Sequence, residues 1–463
     1  MTISSTGNLK SVGGSRIYQY LAAITGNLGI VCSEMHYGWP SPSIPILTSG
    51  NYTFTISSEE SSWLVVSPLL GAIVGAFITG MIVDVFGRKK LVIFSSFPFV
   101  FSWLFIAWAR SSVLMFISRF MAGMTDGISF TAVPMYLGEI ADAKIRGLIA
   151  SVCPVSIILG ILLINVLGSY LSIQTTAYIG TAVPILLFLT FIWMPESPYF
   201  YLIKGRVSDA RKSLQKFRGV EDVSVELNRI REAVEEQNKN RGRCLDLLTI
   251  KSNRKAVMIA YGVRGCQQLS GTTAIIFYCQ KIFAESRDFM SPSVATILYF
   301  SVQLVLSALA SIIVDFSGRR PLLIVSITGT AITLLANGIY LYLKDCTSVD
   351  VSSLNFLPLV ALLTYVVVFS IGLQTIPLLI MGEVFPTNVK AFALCGADIY
   401  YSILVTIISK FFHWSNEEFG MYVPFFVFSV ASVFGLIFTI FCVPETKGKT
   451  LEDIQRELGN KSS

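Results

Sequence analysis

Charge is scarce in this sequence. Asp, Glu, Lys and Arg make up 14% of its 463 residues while 53% are hydrophobic, a balance too apolar for a soluble core of this size. Missing too are a His, Cys and carboxylate cluster with metal-ligand spacing, a nucleophile triad and a glycine-rich phosphate loop, so no metal, cofactor or enzyme chemistry is expected. The eight cysteines build no disulfide framework: Cys32, Cys153, Cys266, Cys279, Cys395 and Cys442 fall inside apolar runs, and only Cys346 is placed on the extracellular side. Redox chemistry is therefore unsupported. The formal charge of +6 is gathered in short loops between apolar runs, which argues against a nucleic-acid partner and records orientation instead.

What the sequence has in abundance is long apolar runs. Crossing a bilayer takes about 20 mainly apolar residues, and twelve such runs lie near 17–37, 63–83, 91–109, 113–137, 148–170, 177–194, 256–280, 292–314, 322–343, 355–381, 391–412 and 421–443. They are too long for barrel strands and lack alternation, so an all-α membrane protein with the lipid bilayer as its solvent is expected. If the spans alternate, the basic groups at 87–90, 144–146, 195–255 and 318–320, with Lys390 and the tail after Pro444, share one side. The positive-inside rule makes that side cytoplasmic, with both termini on it. The opposite loop at 38–62 holds Glu59 and Glu60 but no Lys or Arg, and carries the glycosylation sequon Asn51-Tyr52-Thr53. The first eleven residues lack a cleavable signal pattern, so the first span is expected to serve as the insertion signal.

The chain also repeats itself. V-D-V-F-G-R-K-K-L from Val83 returns as V-D-F-S-G-R-R-P-L from Val314, Glu139 with Arg146 returns as Glu383 with Lys390, and P-E-S-P at Pro195 returns as P-E-T-K at Pro444. The offsets of 231, 244 and 249 residues predict a duplicated six-helix unit. The expected division is a six-helix bundle at 1–194, a cytoplasmic helical linker at 195–255, a second bundle at 256–443 and a cytoplasmic tail at 444–463. A disordered linker is the alternative for 195–255. Acids beside bases at the cytoplasmic helix ends suit ion pairs that tie neighbouring helices and act as a reversible gate; the plainer reading is anchorage in lipid headgroups.

These motifs, with S-R-F-M-A-G at Ser118, P-M-Y-L-G-E-I-A-D-A-K-I-R-G at Pro134, Q-Q-L-S-G at Gln267 and I-P-L-L-I-M-G-E-V-F-P at Ile376, give nearly the whole chain a resemblance. It resembles the sugar porters of the major facilitator superfamily, the glucose-transporter-like group, and most of all the insect facilitated trehalose transporters. The resemblance implies two pseudo-symmetric bundles rocking about a central sugar site, without ATP, in a carrier that works as a monomer. It implies gate charges at Arg88, Lys89, Arg119, Glu139, Arg146, Glu196, Asp315, Arg319, Arg320, Glu383, Lys390 and Glu445. Where the family has Arg after P-E-S-P, this chain has Tyr199.

A neutral polyol suits amide side chains that donate and accept without the cost of a buried charge. Gln267 and Gln268 lie mid-span, and Ser270-Gly271 is a place for the helix to break and open backbone groups to a cavity; helix-packing glue is the competing role. The resemblance adds Thr273, Gln303, Tyr401 and Ser402 as substrate contacts, all altered from the family's residues. Pro154 replaces a Gln, and Leu378 and Ser402 replace two Trp that form a flat platform for a sugar ring. Ionisable residues inside spans default to function: Glu34, His36, Asp126, Arg264, Asp398 and Lys410. Glu34 and His36 are either titrating groups or wetted residues at the mouth of a short first span. Arg264 shares a helical face with the two glutamines and needs a partner, with Asp398 the first candidate. The expected function is facilitated passage of a hexose or disaccharide such as glucose or trehalose across the cell membrane; a sugar sensor with little flux and a proton-coupled symporter are the alternatives.

Overall fold

The computed structural model describes residues 16–50, 52–142, 144–239, 244–449 and 451–460, without the side chains of 236–239, 311–316, 352, 387–388, 391, 451–452, 455 and 459–460. Asn51 and the side chain of Asp315 lie outside the described residues. The first half is built from α1 (Ile17–Gly38), α2 (Pro40–Thr48), α3 (Ser58–Phe86), α4 (Arg88–Trp108), α5 (Ser112–Ile140), α6 (Arg146–Tyr170) and α7 (Ile173–Phe191). Then come α8 (Pro198–Ile203), α9 (Val207–Arg218), α10 (Ser224–Lys239) and α11 (Asp246–Thr249). The second half holds α12 (Lys251–Leu269), α13 (Thr272–Phe283), α14 (Pro292–Ser317), α15 (Arg319–Cys346), α16 (Leu357–Ile371), α17 (Ile376–Val384), α18 (Thr387–Glu418) and α19 (Tyr422–Cys442), followed by α20 (Leu451–Asn460). The start of α1, the linker helices and α20 mark one face of the bundle, here the terminal face; the other is the far face.

Ten stretches of the described residues are long and apolar enough to cross a membrane, α16 and α17 counting as one. The two spans that fall short open the two halves: α1, and α12 with α13. Both are polar for a reason that the packing supplies. Along α1, Gln19, Asn27, Ser33, Glu34 and His36 are all buried, because this helix is enclosed by α5, α6 and α7. The second opening span breaks at Ser270 and Gly271, where Gly271 takes φ +81° and a Cβ would lie 2.2 Å from the Phe428 ring, so glycine is required there. A second break, over 372–375, separates α16 from α17; the continuous run read at 355–381 gave no sign of it.

Within the first half, α3 and α5 approach more closely than ordinary side chains allow. Gly71 and Gly75 face Gly123 and Gly127, and a Cβ at Gly123 would lie 1.9 Å from the Pro68 carbonyl oxygen. Two small-residue stripes of spacing four thus meet backbone to backbone, the arrangement by which membrane helices gain dispersion contacts when lipid offers no hydrophobic drive. Gly123→Val is expected to abolish the monodisperse peak of the detergent-extracted protein, whereas Gly80→Val, at a position with open space around it, leaves the peak intact; equal behaviour of the two would remove the close approach as a folding requirement.

Candidate functional site

At the terminal face the repeated motifs interlock, and they do so twice. Gly87, φ +94°, turns the chain into α4, and Gly318, φ +89°, turns it into α15. The positive φ alone favours glycine, and space does too: a Cβ would meet the Glu196 carboxylate at 2.4 Å in the first half and that of Glu445 at 3.0 Å in the second. Those carboxylates sit on the helix starts, where unpaired N–H groups and the helix dipole favour an anion. Glu196 accepts from the Lys89 N–H at 3.0 Å, and Glu445 accepts from the N–H groups of Arg319 and Arg320 at 3.1 and 3.0 Å.

The arginine after each glycine then reaches the glutamate of the G-E pair. Arg88 pairs with Glu139 through Nε and Nη2, both at 3.0 Å, and Arg319 pairs with Glu383 at 3.0 Å. The hydroxyl after each P-E closes the ring: Ser197 donates to Glu139, and Thr446 donates to Glu383 at 2.6 Å. Each half therefore carries one clamp that joins a helix start, a helix end and the segment after its last span. Burial, opposed by the Lys89 and Ser197 N–H groups, leaves the Glu196 carboxyl above its ordinary range. At Glu445 a weaker burial effect is outweighed by N–H groups from Lys447, Arg319 and Arg320, which hold it below.

Not every expected charge joins. Lys390 donates to the Gly382 carbonyl at 2.7 Å, Arg320 reaches the Ile440 carbonyl at 2.6 Å, and Arg146 is exposed, with no carboxylate partner among the described residues. Arg119 is misplaced in the expected gate. It lies seven residues into α5 from the far face, fully buried, bonded to the His36 carbonyl and stacked 5.1 Å over Trp39; the cytoplasmic reading took its motif for a helix end. Among the described residues no clamp pair crosses between the halves.

Within the second half, the two helix breaks are tied to each other. Gln267 Nε2 donates to the carbonyls of Leu373 and Gln374, at 2.7 and 3.3 Å, in the gap between α16 and α17, and Gln267 Oε1 accepts from Arg264 at 2.6 Å. Gln268 Oε1 accepts from Thr273 at 2.6 Å. Gln303 Nε2 donates to Gln374 Oε1 at 3.3 Å, leaving Gln303 Oε1 buried and unbonded. Ser402 turns back on its own helix, donating to the Asp398 carbonyl at 3.0 Å. Gln374 was missed by the sequence reading, and a polar residue two before Ile-Pro was the available signal.

Arg264 corrects a second expectation. Its partner is the ring face of Tyr401, 4.3 Å from the guanidinium carbon, together with Gln267; Asp398 lies within electrostatic influence but forms no ion pair with it among the described contacts. Tyr401 in turn shares a hydrogen bond with Tyr37 of the first half at 3.2 Å. Glu34 and His36 are 8% and 2% exposed, so the wetted-mouth reading fails: α2 continues the first span beyond them.

The remaining hydrogen bonds between halves gather at the far face. Ser58 at the start of α3 meets His413 and Glu417 at the end of α18. Lys410 donates to Ser62 at 2.7 Å and lies 3.6 Å from the Trp63 ring centre. Gln280 joins Ser41 and Ser169. These contacts join the two halves at that face.

The family described as Sugar (and other) transporter matches residues 26–458. The chain belongs to that family. It is 35% identical over 445 residues to the facilitated trehalose transporter Tret1 of Bombyx mori, covering 96% of this chain and 87% of that one. It is 34% identical to the Tret1 of Drosophila grimshawi, of which it spans 48%. Among solved structures, the partially occluded inward open conformation of the xylose transporter XylE from E. coli superposes with TM-score 0.78 at 22% identity, over 94% of this chain and all of the other. The XylE proton:xylose symporter bound to 6-bromo-6-deoxy-D-glucose superposes with TM-score 0.77, also at 22% identity, over 96% and 99% of the two chains. At that identity they establish the fold, the twelve-helix major facilitator fold.

For this member of the family the clamp makes a stability prediction. Arg88 is nearly fully buried, and removing one partner of such a pair costs about 3–5 kcal/mol. Arg88→Leu should lower the Tm of the purified protein, and adding Glu139→Gln should restore part of the loss by removing the uncompensated charge. An unchanged Tm for Arg88→Leu would show that the clamp contributes no stability.

Proposed function

We propose that the protein carries a small sugar, a hexose or a disaccharide such as glucose or trehalose, across the cell membrane by alternating access, with both termini cytoplasmic. One observation carries the reading: amide and hydroxyl side chains meet at two broken helices of the second half, while among the described residues the hydrogen bonds that join the halves lie at the far face, the Tyr37–Tyr401 bond apart. The breaks free backbone groups at mid-span, where polar side chains are tolerated only if buried in protein or turned to a water-filled cavity. The Tret1 relatives support trehalose as the first substrate to try, and the excess of Lys and Arg on the terminal face supports its cytoplasmic placement. In this reading the clamps keep each half rigid so that motion is concentrated between halves.

Gln268, Gln303 and Thr273 are the amides and hydroxyl assigned to the sugar, whereas Gln267, whose amide reaches the carbonyls of the second break, holds the breaks in place. Uptake of labelled glucose and trehalose into vesicles holding the purified protein tests the function. Gln268→Ala should raise KM several-fold at unchanged surface amount, as the loss of about 1 kcal/mol of hydrogen bonding implies; normal KM would refute the assignment, and no flux of any sugar would favour the sensor reading.

The far face gives a conformational test. Lys410→Ala removes both the Ser62 bond and the Trp63 contact, worth about 1 kcal/mol together. A cysteine placed at Gln280 should then be labelled by an impermeant maleimide from outside about fivefold faster, and an unchanged rate would show that Lys410 does not hold the outer closure.

A further inference from the structure

Three carboxylates stand near the contact between the halves, and two of them have no cation beside them. Glu34 is 8% exposed and has no hydrogen-bond or ion-pair partner among the described residues. Its charged neighbour is Asp126, and its field also reaches Tyr37, Cys153 and, across the interface, Tyr401. Asp126 accepts a hydrogen bond from Ser33 and faces Asp398 of the other half. Of the nearby guanidiniums, Arg264 is engaged with Gln267, Tyr401 and the field of Asp398, and Arg119 with the His36 carbonyl, Trp39 and Tyr37.

A cavity of about 10 Å³ opens between Ser33, His36, Tyr37 and Asp126, room for one water-sized group. His36 is 2% exposed and its Nδ1 is buried without a hydrogen-bond partner. A bare acidic pair in a membrane is costly, and a positive charge delivered to it is correspondingly favoured. A primary ammonium matches the cavity in size, and its three N–H donors match a carboxylate, a phenol and a ring nitrogen.

We propose that this pocket receives the ammonium group of an amine-bearing sugar, so that the carrier prefers an amino sugar over its neutral counterpart. The inference rests on the sugar-transport reading and narrows its substrate class. Side-chain contacts run from the pocket through Tyr37 and Tyr401 to Arg264 and Gln267, so the acidic pocket of the first half is linked to the amide cluster of the second.

The test compares glucosamine, glucose and N-acetylglucosamine, which share a ring and differ at one substituent. Inhibition of labelled sugar uptake in vesicles is measured together with the thermal shift each sugar gives the purified protein. Glucosamine should inhibit about tenfold more strongly than the other two, as a charge-assisted hydrogen bond implies, and this ratio should fall toward one in Asp126→Asn. Should that variant fail to elute as folded protein, Glu34→Gln carries the same ratio test. Equal inhibition by all three sugars overturns the proposal while leaving sugar transport standing, as does glucose uptake driven by a proton gradient with no preference for the amine. A thermal shift by glucosamine alone, without flux of any sugar, supports the pocket and refutes transport.

Discussion

A carboxylate seated on the first N–H groups of a helix, behind a glycine that no other residue could replace without collision, is the interaction on which the rest of this architecture depends. It explains why Gly87 and Gly318 are each followed by arginine, and why P-E recurs after the last span of each half. The glutamate of P-E neutralises the helix start, the arginine is thereby freed to face the glutamate of G-E, and the hydroxyl after P-E supplies that glutamate with a further donor. Each motif is incomplete without the other two. A substitution in one leaves a buried charge in another, which is why three short motifs, the outer two of them over 100 residues apart, behave as one unit.

The clamps also set where the molecule bends. Ion pairs and close glycine packing hold the first half together, and the α3–α5 contact is backbone against backbone. Between the halves, where α3 packs on α18, α6 on α14 and α2 on α13 and one apolar cluster is continuous, the polar contacts are of another kind: a serine with a histidine and a carboxylate, a glutamine with two serines, a lysine over a tryptophan ring and one tyrosine pair. Isolated contacts of this sort contribute roughly 0.5–1.5 kcal/mol each. In the alternating-access reading proposed above, a few of them close a face and are given up together when the opposite face closes, whereas the clamps stay made.

The span count, the duplication, the Gly271 break and the clamp residues were legible in the sequence because each leaves a local mark: apolar length, repeated spacing, or a glycine in an otherwise helical run. What failed depends on which helix faces which. Arg119 was grouped with the cytoplasmic charges because a motif carries no depth, although the alternation of spans already puts the start of run 113–137 on the opposite side, where the course of α5 places it. Arg264 was matched to Asp398 because a cation implies an anion, yet an aromatic face and an amide oxygen met the need. The break at 372–375 left no hydropathy signal, since its gap is short and its flanks are apolar. The small-residue stripes of α3 and α5 are visible as spacing, but nothing in one stripe says that it meets the other.

Arg264 has a consequence for specificity that follows from its partners. A guanidinium cannot neutralise itself by losing its proton, so it draws on whatever acceptors the cavity offers, and here it takes Gln267 Oε1 and the ring of Tyr401. Gln267 is thereby removed from the pool of groups available to a sugar, and the face of Tyr401 cannot serve as a stacking platform while it is covered. With Leu378 and Ser402 standing where the family has tryptophans, the second half offers a ligand fewer neutral contacts than its fold suggests. The first half adds acceptors of another kind, in Glu34, Asp126 and Tyr37. On the amine reading proposed above, recognition shifts across the interface, from amides and aromatic rings toward carboxylates, which suit a ligand that brings a positive charge.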